Sequence, residues 1–303
     1  MPSPRISVIV PSRDEAVTLE RTLCSVFDQG YDNLELLVAD GGSNDGSVAL
    51  IERYADQIAW WRSTPDAGPA DAVNQAIAHA TGEMIGILHA GDLYLPGALD
   101  AVAHRMAADK PCDWLAGHSL CIDVNDGEHG RLDATTPLSA ASFLMHNTGQ
   151  LPPSAVFYRR SLLARHDAFD TALRFGWAYE MHARLILAGS YPVVLGQVLA
   201  AHREGVHTDR IQRTLQQGIE TIEVAERFGE QLPLKQQYTL WRNCDERRRI
   251  YALAEAEMEA SLSRRRLWQR LLRRPWWLAS PSYRRMLLHD TAEACETPDR
   301  HAA

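Results

Sequence analysis

Three aspartates stand where short apolar runs end. Asp40 closes Leu36-Leu-Val-Ala39, Asp66 follows Ile58 to Arg62 and a short loop, and Asp92 follows Met84 to Leu88. Ser12 and Arg13 hold the corresponding place after Ile6 to Val10. Carboxylates gathered at one end of a sheet repel one another unless they share a cation or accept hydrogen bonds from a ligand's amide and hydroxyl groups. Asp40 also opens Asp40-Gly-Gly-Ser-Asn-Asp-Gly46, whose paired glycines allow a sharp turn and a close approach of backbone to ligand. The same residue types build ordinary turns and helix caps, so the argument rests on their recurrence at successive strand ends.

The elements that must position them follow from periodicity. Short apolar runs read as parallel strands covered on both faces, and ligands of such sheets bind beyond the carboxyl ends of the strands. Strands are predicted over Ile6 to Val10, Leu34 to Asp40, Ile58 to Arg62 and Glu83 to Leu88. The helices between them run to Gln29 (capped by Ser12 or Asp14), from near Asp45, from Pro69 to Ala80, and from Leu95 to about Ala108. This alternation is the doubly wound α/β pattern with right-handed crossovers. Trp114, Ala116, His118, Leu120 and Ile122 alternate ahead of an Asp126-Gly127 turn, predicting a hairpin and antiparallel strands that extend the sheet. Ser154 to Arg159 is a strand, Ala178 to Gly189 a helix and Tyr191 to Leu199 a last strand. Beyond Asp209 the sequence is helical and rich in Glu, Gln, Arg and Leu, which places a boundary between 1–210 and a helical extension, 211–303.

The 303 residues suffice for one large α/β domain with an appendage, and 46% hydrophobic with 23% charged residues is ordinary for a soluble globular chain. A formal charge of -8 argues against nucleic-acid binding. Cys24, Cys112, Cys121, Cys244 and Cys295 form no CxxC pair, so neither a zinc site nor a disulfide framework is expected. A strand beginning at Ile6 leaves no room for a signal peptide, and no apolar run reaches the ~18 residues of a spanning helix. A cytoplasmic protein is expected. Arg264 to Arg274, followed by Pro275-Trp-Trp-Leu278, reads as a basic helix with tryptophans, suited to an anionic membrane surface or to packing as an ordinary charged helix.

The motifs from Ile6 to Leu99 resemble the inverting nucleotide-sugar glycosyltransferases of family 2, which have the GT-A fold. The matching pieces are Ser7-Val-Ile-Val-Pro-Ser-Arg-Asp-Glu15, Asp40 to Gly46, Asp66-Ala-Gly68 with Asp71 and Asn74, Ala80-Thr-Gly82, and Gly91-Asp-Leu-Tyr-Leu-Pro-Gly-Ala-Leu99. Weaker similarity continues to about residue 210. The resemblance implies a Rossmann-like, mostly parallel sheet. It implies a nucleotide-sugar pocket formed by Pro11, Ser12, Arg13, Glu15, Asp40, Asp66, Gly68, Asp71 and Arg203, with Asp92 holding Mn²⁺ or Mg²⁺ against the diphosphate. Arg203 lies with His202 and His207 in an Arg-containing loop, where phosphate contact and a solvated loop are both open. Trp177 is the candidate for packing on an acceptor sugar.

Two departures from the family pattern matter. Gly91 precedes Asp92 where a second acid is usual, and Ala178 occupies the position of the usual catalytic base. An inverting transfer needs a base for the acceptor hydroxyl. Glu180 is the nearest acid, but two residues along a helix is about 200° of rotation, so it serves only if the helix begins after Ala178. Glu180 as base, Asp170 as base, and an inactive chain remain three open readings. The expected function is transfer of a sugar with inversion from a nucleotide diphosphate sugar to a glycan or lipid-linked acceptor in surface polysaccharide biosynthesis. Its location would be cytoplasmic, with contact to the inner membrane face through 262–290. The alternative is a catalytically impaired relative that binds nucleotide sugar or glycan as a regulatory or scaffolding module.

Overall fold

All seven residues of the central strand β1 (Ile6–Ser12) are buried, because helices cover both of its faces. A computed structural model describes residues 3–108, 112–137, 139–146, 151–204, 210–258 and 263–281. In chain order it contains α1 (Ala16–Phe27), β2 (Leu34–Asp40), α2 (Ser47–Arg53), β3 (Trp60–Ser63), α3 (Pro69–His79), β4 (Met84–Ile87), β5 (Leu93–Tyr94) and α4 (Ala98–Met106). Then come β6 (Trp114–Ile122), β7 (Glu128–Leu132), α5 (Ala140–His146), β8 (Val156–Arg159), α6 (Arg160–Arg165), α7 (Trp177–Leu187) and β9 (Val193–Arg203). Helices α8 (Arg210–Gly229), α9 (Leu234–Met258) and α10 (Ser263–Arg273) follow.

The described strands form one sheet of order β3-β2-β1-β4-β8-β6-β9-β5, with β7 paired to β6. Neighbours from β3 to β4 are parallel, as are β6 and β9. Antiparallel β8 joins these two parallel groups. Ile6, Val8 and Val10 share one core with Leu19, Leu23 and Val26 of α1, Ile51 of α2, and Leu99 and Val102 of α4. On the other face α3 packs over β1 and β2 through buried Ala72, Val73 and Ala76.

Several predicted boundaries shift. β3 starts at Trp60 rather than Ile58, its register set by Leu37 opposite Trp60. The last strand continues to Arg203 because β6 pairs with it as far as Ile122 opposite Arg203. Helix α1 is not capped by Ser12 or Asp14. The N–H of Ala16 donates to Asp45 Oδ2 (2.8 Å) and that of Glu15 to Ser47 Oγ (3.1 Å), so the Gly-rich loop after β2 supplies the cap. Two-residue β5 was not anticipated.

The chain divides into two compact units, Met1–Leu240 and Trp241–Ala303. The all-helical stretch begins at α8, near the compositional change at 210, while the first unit continues to Leu240. Among the described residues no helix is long and apolar enough to cross a membrane. His207 and the parts of 262–290 other than 263–281 lie outside the described residues.

Candidate functional site

The site forms where β1, β2, β3 and β4 end. Parallel pairing sets Ser12 opposite Asp40, and Asp40 opposite Ser63, which aligns their carboxyl ends. Pro11 extends this edge by accepting a hydrogen bond from the Ala90 N–H (3.3 Å). Asp40 is fully buried and turns toward its own loop. Oδ1 accepts from Ser43 Oγ (2.5 Å), and Oδ2 accepts from the N–H groups of Gly42 (3.1 Å) and Ser43 (2.8 Å) and from Ser63 Oγ (2.6 Å). Four donors satisfy this carboxylate, so it organises the loop.

The loop brings Arg13 and Asp66 together across Gly41. A Cβ on Gly41 would stand 2.9 Å from Asp66 Oδ2 and 3.3 Å from Arg13 Cδ, so a larger residue here would push these two side chains aside. Asp66 and Asp71 build the next turn, accepting from the N–H groups of Gly68 (2.9 Å) and Ala67 (3.0 Å). Burial, reinforced by neighbouring Asp71, raises the Asp66 pKa against the Gly68 bond and the charges of Arg62 and Arg13. Hydrogen bonds from Gln75 and Ala67, with the charge of Arg62, lower that of Asp71.

Arg62 is a residue the sequence reading missed. Its Nε and Nη2 are buried and have no hydrogen-bond partner among the described residues, and Ser12 Oγ is in the same state. Buried donors are normally satisfied, so unsatisfied ones at the strand ends are open to a partner from outside the chain. The available signal was position: Arg62 lies one residue before the end of β3, the edge strand of the parallel group.

Asp92 forms the second part of the site. β5 pairs antiparallel with β9, Leu93 opposite Ala201, and this register delivers His202 and Arg203 to Asp92. The buried carboxylate accepts from Ser154 Oγ, His202 Nδ1 (3.1 Å) and the Arg203 N–H (2.9 Å). Burial works to raise its pKa, but the charge and hydrogen bond of His202, with His89 and Ser154, hold it below the ordinary value. Asp92 is therefore ionised at neutral pH. Glu15 lies within electrostatic range of Asp92, Asp45 and Arg213. Burial pushes its pKa to about 7, against a hydrogen bond from Thr18 and the charge of Arg213.

Arg203 does not present its guanidinium to this pocket. Nε donates to Gly91 O (2.8 Å), Nη1 to Asp123 O (2.7 Å), and Nη2 pairs with Asp126 Oδ1. The side chain is a buried strut tying the β6–β7 turn to the loop that carries Asp92, so neither of the two open readings, phosphate contact or solvated loop, describes where its guanidinium goes.

The two acids considered as base, Glu180 and Asp170, are both held by arginines. Helix α7 begins at Trp177, so Ala178 and Glu180 are both helical and about 200° apart. Glu180 is buried against Arg184 (2.7 Å) and Arg227 (3.2 Å), and Asp170 pairs with Arg227 (3.1 Å) and the Ala172 N–H (3.1 Å). Trp177 is buried edge-on to Phe169, with ring centroids 5.0 Å apart, and leaves no open face for a sugar. The acid that does reach the start of α7 comes from α8. Glu220 Oε2 accepts from the N–H groups of Phe175 and Gly176, each at 2.8 Å.

This sheet, and the polar edge formed by its strand ends, is the GT-A architecture of nucleotide-sugar transferases. The mannosyltransferase PcManGT of Pyrobaculum calidifontis, solved with GDP-Man and Mn²⁺, superposes with a TM-score of 0.57 at 20% identity, covering 94% of this chain and 83% of that one. S. aureus TarS 1-349 in complex with UDP gives 0.56 at 18% identity, covering 93% and 90%. Residues 7–166 match Glycosyl transferase family 2, and the chain belongs to that family. The uncharacterized glycosyltransferase Rv1514c of Mycobacterium tuberculosis is 33% identical over 182 residues, 59% of this chain and 66% of that protein. The succinoglycan biosynthesis protein ExoU of Rhizobium meliloti is 28% identical over 229 residues, 69% of this chain and 65% of its own length. The chain thus spans about two thirds of these curated relatives.

Proposed function

We propose that this glycosyltransferase binds a nucleoside diphosphate sugar across the ends of β1 to β4 and transfers the sugar, with inversion, to a hydroxyl of a glycan or lipid-linked acceptor in surface polysaccharide assembly. The observation that carries this reading is the pairing of an ionised, buried Asp92 with a pocket whose Ser12 and Arg62 donors lack partners. Arg13, Arg62, Asp66 and Asp71 surround the end suited to the nucleotide. The relatives named for succinoglycan and for PGL/p-HBAD biosynthesis support the polysaccharide or glycolipid context.

Among the described residues no group of three or more His, Cys, Asp or Glu side chains surrounds a point where a cation could sit, so protein groups alone would supply only a small part of a cation's shell around Asp92. Asp92 would supply a carboxylate oxygen, and His202 could add a ring nitrogen only after giving up its hydrogen bond to Asp92; Mg²⁺ or Mn²⁺ commonly completes its shell with phosphate oxygens and water. Asp92 and His202 would hold the ion, which when bound neutralises charge developing on the diphosphate. Ser154 and the Arg203 N–H orient the carboxylate in the meantime.

A second reading is favoured by one specific observation. Ala178 offers no base, and Glu180 and Asp170 are both tied to arginines. On this reading the chain binds donor or glycan with little turnover. Calorimetric titration of UDP and GDP, with and without Mn²⁺, tests both. Metal-strengthened binding of one nucleotide that is lost in Asp92→Ala supports the donor site, and its absence in every form removes it. Transfer or donor hydrolysis that appears only in Ala178→Asp assigns the chain to the impaired reading, whereas turnover by the unaltered chain excludes it.

A further inference from the structure

The second compact unit carries an apolar face that sugar transfer does not use. Past α10, Pro275–Ala279 forms a short 3-10 helix. One side of this segment is anchored inward: Leu271 is 5% exposed and Trp277 3%. Asp245 Oδ2 accepts from Nε1 of Trp276 (2.8 Å) and Trp277 (3.0 Å), Arg274 pairs with Asp245 Oδ1, and Arg270 pairs with Glu255 (2.5 Å). The opposite side stands in solvent. Trp268 is 50% exposed and Leu272 83%, and Trp276, held at its Nε1 by Asp245, is 48% exposed. Trp268 and Leu272 are four residues apart on one helical stripe. The Trp241 ring, centred 5.8 Å from that of Trp276, enlarges the face.

The charge around this face identifies what covers it. The sequence from 261 to 281 has six arginines and no acid, in a chain of formal charge -8. Of the described ones, Arg270 and Arg274 are held by Glu255 and Asp245 of α9, which leaves Arg273 beside the exposed stripe. A second copy of the same face would oppose arginines to arginines, and like charges across an interface disfavour that pairing. Tryptophan combines an apolar body with a polar N–H and suits the boundary between headgroups and acyl chains, while arginines favour anionic headgroups. We propose that this face lies on an anionic phospholipid bilayer, with Trp268, Leu272 and Trp276 in the interfacial layer. The inward anchors keep the face presented without refolding. This inference stands independently of the donor chemistry.

Flotation of the full chain with vesicles tests it. Vesicles of phosphatidylcholine with about 30% phosphatidylglycerol should bind the protein at least about tenfold more tightly than pure phosphatidylcholine, and salt at about 0.5 M should weaken the binding. The double variant Trp268→Glu, Leu272→Glu should lose about tenfold or more in vesicle affinity while its thermal midpoint is unchanged. Equal binding to both vesicle types, or undiminished binding by the variant, would overturn the proposal. So would light scattering that shows a dimer dissociated by the same substitutions, since the face would then be an interface between copies.

Discussion

Glu15, with a pKa of about 7 against an ordinary 4.5, binds a proton in the folded chain that the unfolded chain has already released between these values. A raised acid pKa stabilises the fold fully below pH 4.5 and loses that contribution as pH rises through about 7. Denaturant midpoints measured across this window should fall with pH in the unaltered protein, and Glu15→Gln should flatten that slope. Two arginines make opposite predictions. Arg203→Met removes a buried guanidinium from Gly91 O, Asp123 O and Asp126, and should destabilise the protein by about 3 to 5 kcal/mol in urea unfolding. Arg62→Met removes Nε and Nη2 donors that have no hydrogen-bond partner among the described residues, leaving only its charge effect on Asp66 and Asp71 to lose, so stability should change little. Nucleotide affinity should drop about tenfold or more, the weight of a charged hydrogen bond. An Arg62→Met protein that unfolds early and binds normally would place Arg62 in the fold instead of the pocket.

Among the elements, α7 illustrates how a helix start is completed from a distance. Gly176, its N-terminal flanking residue, has no side chain, and Glu220 of α8 accepts two N–H groups in its place. Glu220→Ala should lower stability by about 2 kcal/mol, and Glu220→Gln by less because its carbonyl oxygen still accepts. Chemical denaturation of the two variants beside the unaltered chain measures the difference. The same physics sets how much could be read in advance. β1, β2 and β4 announce themselves because strands buried on both faces must be apolar throughout, and Asp40 at the end of β2 and Asp92 beyond β4 then follow by counting. α1 gave a misleading signal: local hydroxyl and acidic residues suggested a cap, while Asp45 and Ser47, about thirty residues away, supply it. β5 has two residues and no pattern of its own, and exists because β9 pairs with it. Arg203 looked like a phosphate ligand for the same reason, since its partners Asp123 and Asp126 cannot be inferred from the residues beside it.

At the scale of the molecule, one antiparallel strand, β8, joins a parallel group made early in the chain to a parallel pair made late. The Gly-rich loop, Arg13, Arg62 and Asp66 belong to the early group, and the residues that grip Asp92 belong to the later part. Ser154, His202 and Arg203 lie 62, 110 and 111 residues beyond it in sequence. Contacts of such separation carry a large loop-closure cost and tend to form after local ones. As the chain leaves the ribosome, its first ninety or so residues are able to pair strand by strand while Asp92 still has none of these three partners. On the proposed donor site, the carboxylate is therefore set only at the end of folding, and an incompletely made chain would carry the strand-end edge of β1 to β4 without a set Asp92 beside it.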